Sequence, residues 1–102
     1  MGKFVVTYKG GDSDYNTEAQ EASMKLWMEW FDSIGASVTD FGNPFGSSIA
    51  LLSDGTVGEV DTALTGFTVL DATSLEHAGE IVAGCPIFKS GGSIEIYEAM
   101  SM

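Results

Sequence analysis

Between Thr17 and Gly35, large apolar residues recur at helical spacing and cover more of the helix than one packed face needs. At about 100° per residue, Leu26, Trp30, Ile34, Trp27, Phe31, Met24 and Met28 span an arc of roughly 200°. A helix lying on a single sheet needs a stripe only a little over ~100° wide. The segment is therefore predicted to pack on a sheet and to spend its surplus width on a pocket or an interface. Thr17, with Gln20 three residues on, has the form of a capping box, and Gly35 is placed to end the helix as a C′ residue.

The rest of the pattern supplies the sheet. Residues 3–9 alternate, with Phe4, Val6 and Tyr8 on one side and Val5 and Thr7 on the other. A polar loop follows over 12–16. Residues 36–41 and 48–53 are the next extended runs, joined by the turn Gly42-Asn43-Pro44-Phe45-Gly46. Asp54-Gly55 is a second turn signal, 56–64 reads as an irregular excursion, and 66–70 as a short strand. Thr73 with Glu76 is expected to cap a second helix, whose Leu75, Ala78, Gly79 and Val82 share a face. A helical glycine costs about 1 kcal/mol against alanine, so Gly79 is expected to pack closely on the sheet. Gly84 and Pro86 stop that helix. Residues 93–100 form the last strand, with Ile94 and Ile96 on one side and Glu95 and Tyr97 on the other.

This βαββαβ order, within a single domain over 1–102, predicts an α+β, ferredoxin-like fold: an antiparallel sheet with two helices on one face. The second face is then left open, although the strands carry apolar residues on both sides. Soluble monomers rarely expose a large apolar patch, so a homodimer through the open sheet face is expected.

Charge narrows the partners. Fifteen acidic residues stand against four Lys and no Arg, a formal charge of −11. Such a chain repels nucleic acid and anionic membrane, and it lacks the guanidinium that clamps phosphate or carboxylate. Neutral or cationic small molecules suit this field better. No apolar run is long enough to span a membrane, and residues 1–11 lack a signal-peptide pattern. One cysteine makes no internal disulfide, so a cytoplasmic location is expected.

Most reactive constellations fail on spacing. Asp12-x-Asp14-x-Asn16 begins like a calcium loop, but Thr17 and Ser23 replace the required Gly and Glu. One His and one Cys do not make a closed zinc site, and no metal or cofactor is expected. Phosphate-binding glycine motifs and a GxSxG elbow are absent. Cys85, in Gly84-Cys85-Pro86-Ile87, reads as a small buried hydrophobe. His77 falls beside Glu80 on the helical wheel and is expected to face solvent.

One resemblance spans nearly the whole chain and is strongest over its last 37 residues. Residues 66–72 (GFTVLDA), Ser74-Leu75-Glu76-His77-Ala78, Gly84-Cys85-Pro86 and Gly92-Ser93-Ile94-Glu95-Ile96 resemble the C-terminal half of YCII-related proteins. The opening strand and the aromatic helix are also similar. The resemblance implies a dimeric α/β barrel of two ferredoxin-like subunits. Some relatives are cofactor-free enzymes on small organic molecules, for which a His–Asp pair has been proposed. That pair is not transferred to His77 and Asp71. An Asp-Gly-Pro-Phe branch signature is broken here, where Thr56-Val57 follows Asp54-Gly55.

A pocket is the remaining candidate site. Tyr8, Trp27, Trp30, Phe31, Phe41 and Phe45 are placed to surround a cavity between the first helix, the sheet edge and the Asn43-Pro44 turn. Asp40, Asn43 and Asp71 are the polar candidates. The same rings also suit an aromatic core with dimer contacts. The expected function is a cofactor-free small-molecule enzyme or ligand-binding homodimer; a non-catalytic regulatory or structural interaction module is the alternative. A carboxylate of raised pKa beside the cavity would favour the enzyme, and a cavity without titratable groups would favour binding. The lack of any cavity would favour assembly.

Overall fold

The computed structural model describes residues 2–10 and 17–101, with side chains of the first helix described from Glu21 onward. The polar loop at 12–16 and the capping roles of Thr17 and Gln20 lie outside the described residues.

The central strand is β1 (Gly2–Lys9). It pairs antiparallel with β5 (Leu64–Ala72) on one side and β6 (Ser93–Ala99) on the other. The edge strand β2 (Val38–Asp40) pairs antiparallel with β5, giving the order β2-β5-β1-β6. Between β2 and β5 the chain forms a separate hairpin of β3 (Ala50–Leu51) and β4 (Val57–Gly58). The helices are α1 (Thr17–Ile34) and α2 (Leu75–Val82). Stripped of the hairpin, this is the ferredoxin-like βαββαβ order. Residues 48–53 thus do not join the main sheet, and the excursion at 56–64 holds the returning hairpin strand. The strand expected at 66–70 is the middle of the longer β5.

Register explains the core. Phe4 stands opposite Leu70 and Val6 opposite Thr68; on the other side Val6 meets Ile96 and Tyr8 meets Ile94. Strand alternation puts these residues on one face. Phe4, Val6, Tyr8, Leu70 and Ala72 are buried there against Trp30 from α1 and Ala78 and Val82 from α2, so both helices cover that face. Cys85 and Ile87 close the end of the core, as the apolar setting of the cysteine predicts. On the opposite face, which no helix among the described residues covers, Tyr97 is exposed and Val5 and Phe67 are half-buried, while Thr7 and Val69 are buried.

The helix ends differ from the pattern. Gly35 does not adopt the left-handed C′ conformation; Gly35–Ser37 tightens α1 into a 3-10 turn instead. Ser74, not Thr73, caps α2, its hydroxyl accepting from the His77 N–H at 3.0 Å. Thr73 bonds instead to the His77 ring, its N–H donating to Nδ1 at 3.0 Å. His77 is therefore half-buried and locally tied rather than free in solvent. The inward face of α2 is formed by Ala78, Ile81 and Val82, and Leu75 is left exposed.

Gly79 is not closely packed: a Cβ there would meet no atom within 4 Å. Gly79→Ala should recover up to about 1 kcal/mol of helix propensity. In a domain of this size that raises the thermal midpoint by roughly 4–8 °C. An unchanged or lower midpoint in a melt would mean that α2 is covered at this position.

Candidate functional site

The site begins with a detour in the edge strand. Val38 pairs with Leu70 and Asp40 with Val69, so the ladder already slips within β2. The chain then leaves β5 at Phe41 and Gly42 and returns to it at Asn43. The Phe67 N–H donates to the Asn43 carbonyl at 3.3 Å, the Phe45 N–H donates to the Thr65 carbonyl at 2.9 Å, and Pro44 bridges Gly66. Two residues set the detour. The Asp40 carboxylate accepts from the Gly42 N–H at 2.8 Å, an Asx-type turn. Gly42 has φ 77°, and a Cβ there would lie 1.7 Å from the Phe67 carbonyl oxygen. Only glycine fits.

The bulged loop carries the Phe41 ring over to α1, where it meets Phe31 edge-on at 5.2 Å and 90°. Phe31 continues to Trp27 at 5.8 Å, and Trp27 stands edge-on to Tyr8 at 5.2 Å and 89°. Offset and edge-on ring pairs each add about 0.5–1.5 kcal/mol beyond area burial, so this row is a firm wall. Between α1, the end of β1 and the loop lies a cavity of about 620 Å³. That volume is within the usual range for small-molecule sites.

Five residues expected at a pocket line this cavity: Tyr8, Trp27, Phe31, Phe41 and Asn43. Four do not. Trp30 is buried in the core behind Trp27. Asp40 is exposed and spends its carboxylate on the Gly42 turn. Phe45 stacks on Phe67 at 5.7 Å and 19°, outside the cavity. Asp71 stands opposite Lys3, on the open sheet face. Sequence reasoning missed Met24 and Met28, which line the cavity while remaining 65% and 63% exposed. They belong to the surplus arc of α1, which was the available signal. It also missed Thr65, Ile87 and Ser90; the last two arrive on the 3-10 turn Pro86–Ser90, whose direction no local pattern reveals.

The cavity is chemically quiet. Tyr8 is the sole titratable side chain among its described lining residues. Its hydroxyl lies 2.7 Å from Thr68 Oγ1, and Thr68 Oγ1 donates to the Phe41 carbonyl at 2.9 Å. A threonine hydroxyl has one proton, so Tyr8 is the donor to Thr68. Burial pushes the Tyr8 phenol up to about 12. At neutral pH it is a fixed donor, not a base. Burial likewise raises the Cys85 thiol to about 11. No cluster of three or more His, Cys, Asp or Glu suited to a metal occurs among the described residues. No helix among them is long and apolar enough to cross a membrane.

No protein-family model matches the chain, and no curated protein sequence matches it. A solved structure is similar: 5-chloro-2-hydroxyhydroquinone dehydrochlorinase (TftG) from Burkholderia phenoliruptrix, in complex with 2,5-dihydroxybenzoquinone. The TM-score is 0.60 at 16% identity, over 98% of this chain and 95% of that one. The likeness is one of fold, the ferredoxin-like α+β type.

Gly42→Ala should destabilise the protein by about 3 kcal/mol or more, since strain and a backbone clash act together. A denaturant midpoint within experimental error of wild type would remove the close crossing from the account. Alkaline pH tests burial. Tyr8 and Cys85 both hold their protons more tightly when folded than at their ordinary values of 10.0 and 9.0. Stability should therefore be full below about pH 9 and fall as pH rises from there to about 12. Tyr8→Phe should flatten the part of that fall above pH 10. An unaltered slope in pH-dependent denaturation would place the Tyr8 hydroxyl in water.

Proposed function

We propose that this chain is a small-molecule-binding homodimer of the dimeric α/β-barrel superfamily, as its YCII-related resemblance implies. Its ligand is a planar, largely apolar molecule without negative charge, held between α1 and the Phe41–Asn43 loop. One observation carries the reading: a cavity of about 620 Å³ walled by Tyr8, Trp27, Phe31 and Phe41, with no charged side chain among its described lining residues. Aromatic faces favour flat rings, and Asn43 and Thr65 offer polar contacts that fix orientation. An anion finds no cation among those residues and enters a chain of charge −11. The uncovered sheet face, with Tyr97 56% exposed beside Val5 and Phe67, supports pairing of two copies.

Catalysis is the second reading, favoured by the dehydrochlorinase named for the similar structure. A phenol held near 12 makes a poor base at neutral pH, so the quiet lining weighs toward binding.

Isothermal titration calorimetry with 1-naphthol and 1-naphthoate, which share a ring system and differ in charge, tests the site. We expect saturable binding of 1-naphthol, at least tenfold weaker binding of 1-naphthoate, and at least tenfold loss of 1-naphthol affinity in Met28→Asp. Equal affinities, or heat that Met28→Asp leaves unchanged, would overturn the site as described. Saturable absence of binding to either compound would shift the function toward assembly alone.

A further inference from the structure

The β3–β4 hairpin has no apparent purpose in the fold that carries it. It contains two ladder pairs, Ala50 with Gly58 and Leu51 with Val57. Its tip is well made: the Asp54 carboxylate accepts from the Thr56 N–H at 3.0 Å and from the Thr56 hydroxyl at 2.7 Å. Yet Ile49, Leu51, Leu52 and Val57 are 70%, 67%, 55% and 65% exposed. A hairpin this short is marginal in water unless its apolar side is covered. A formed turn with a bare apolar side fits an arm awaiting a surface.

Resting on the homodimeric reading above, we infer that the hairpin is an exchanged arm: each copy lays its β3–β4 hairpin against the open sheet face of a second copy. Three observations select this occupant. The first is area. The chain exposes 7145 Å². A compact monomer of 10.8 kDa would expose about 5,500 Å², so roughly 1,600 Å² is surplus. That is about twice the ~800 Å² per partner of a standard interface and reaches the range of obligate dimers. The radius of gyration, 15.0 Å against roughly 13 Å for a compact chain of this length, has the same origin in a flat body of 43 × 40 × 19 Å.

The second is charge. Residues 49–64 carry Asp54, Glu59 and Asp61 and no cation. By strand alternation, the open face of β1 carries Lys3 and Lys9, half of the lysines in the chain. That face also holds Asp40, Asp71 and Glu95, so it is nearly balanced within a chain of −11. With two lysines against these three carboxylates the face does not attract an acidic arm, but within a chain of −11 it is a surface that repels one little.

The third is continuity. Phe45 stacks on Phe67 and the chain then runs four residues to Ile49, so the arm departs beside the open face. One chain thus bears two uncovered apolar surfaces close together. A twofold axis pairs each with its counterpart in a single self-complementary interface, and no other component is needed.

Sedimentation equilibrium on wild type, on Leu51→Asp/Val57→Asp and on Lys3→Glu/Lys9→Glu tests the arm, with far-UV circular dichroism to verify folding. We expect a wild-type dimer at micromolar concentration and a dissociation constant raised at least tenfold in each variant. Amide exchange in wild type supplies a second measure that needs no variant: the hairpin should exchange more slowly as concentration rises through the dimer range. A dimer as tight in Leu51→Asp/Val57→Asp as in wild type would overturn the arm while leaving a face-to-face dimer in place. Hairpin exchange that is independent of concentration would overturn it equally. A wild-type monomer at tens of micromolar would overturn both the arm and the dimer, and the naphthol titration would still decide the cavity on its own.

Discussion

A short buried relay of hydrogen bonds ties the site to the fold. Tyr8 on β1 donates to Thr68 on β5, and Thr68 donates to the Phe41 carbonyl in the detour that leaves β2. Thr68 is completely buried and Tyr8 nearly so. Each bond contributes only about 1 kcal/mol net. The cost of leaving such a group buried and unpaired is larger, about 1–3 kcal/mol. That asymmetry is what fixes the loop: with Thr68 in place, the Phe41 carbonyl has one satisfactory position. The Phe41 ring then follows the carbonyl to Phe31, and the cavity acquires its outer wall. The same tyrosine provides part of the cavity lining, so core and site share one side chain.

Gly42 makes the complementary contribution. The relay pulls the loop inward, and the absence of a Cβ lets the backbone pass over the Phe67 carbonyl. Asp40 then stabilises the turn by accepting from the Gly42 N–H. Edge strands commonly carry such bulges, and here the bulge opens a space between sheet and helix that a straight β2 would leave no room for. The site is therefore a by-product of how an edge strand is broken, not of a reactive motif.

Much of this was legible in the residues, and the reasons are physical. Alternation in β1 and helical spacing in α1 are strong periodic signals, and both elements form where they are expected. Ferredoxin-like order followed from them. What local pattern could not supply was long-range. The second extended run, at 48–53, has strand-like composition but pairs with Val57 and Gly58 rather than with the main sheet. Pairing depends on where the preceding detour delivers the chain. Asp71 was a candidate for the polar side of a pocket, yet strand parity sends it to the opposite face from Tyr8. Gly79 looked like a packing glycine, but its neighbours leave the space above it empty. In the first helix, Trp30 and Trp27 share the apolar arc and differ in role: the fold uses Trp30 as core and Trp27 as wall.

The width of that arc has a consequence for the whole molecule. A chain of 102 residues covers only one face of its sheet with two helices, and both sides of its strands are apolar. Burying a further 1,000 Å² of apolar surface is worth about 25 kcal/mol before the costs of association, which run to 4–15 kcal/mol or more. Covering part of the surplus area is thus a driving force of the right order for the proposed pairing, although affinity does not follow from area alone. Charge sets the direction in which it can happen: copies of −11 repel one another over most of their surface and least at the face where Lys3 and Lys9 stand among Asp40, Asp71 and Glu95. The cavity lies on the helix side of the sheet and meets the open face at Phe67, so the proposed pairing and ligand binding would draw on adjoining surfaces.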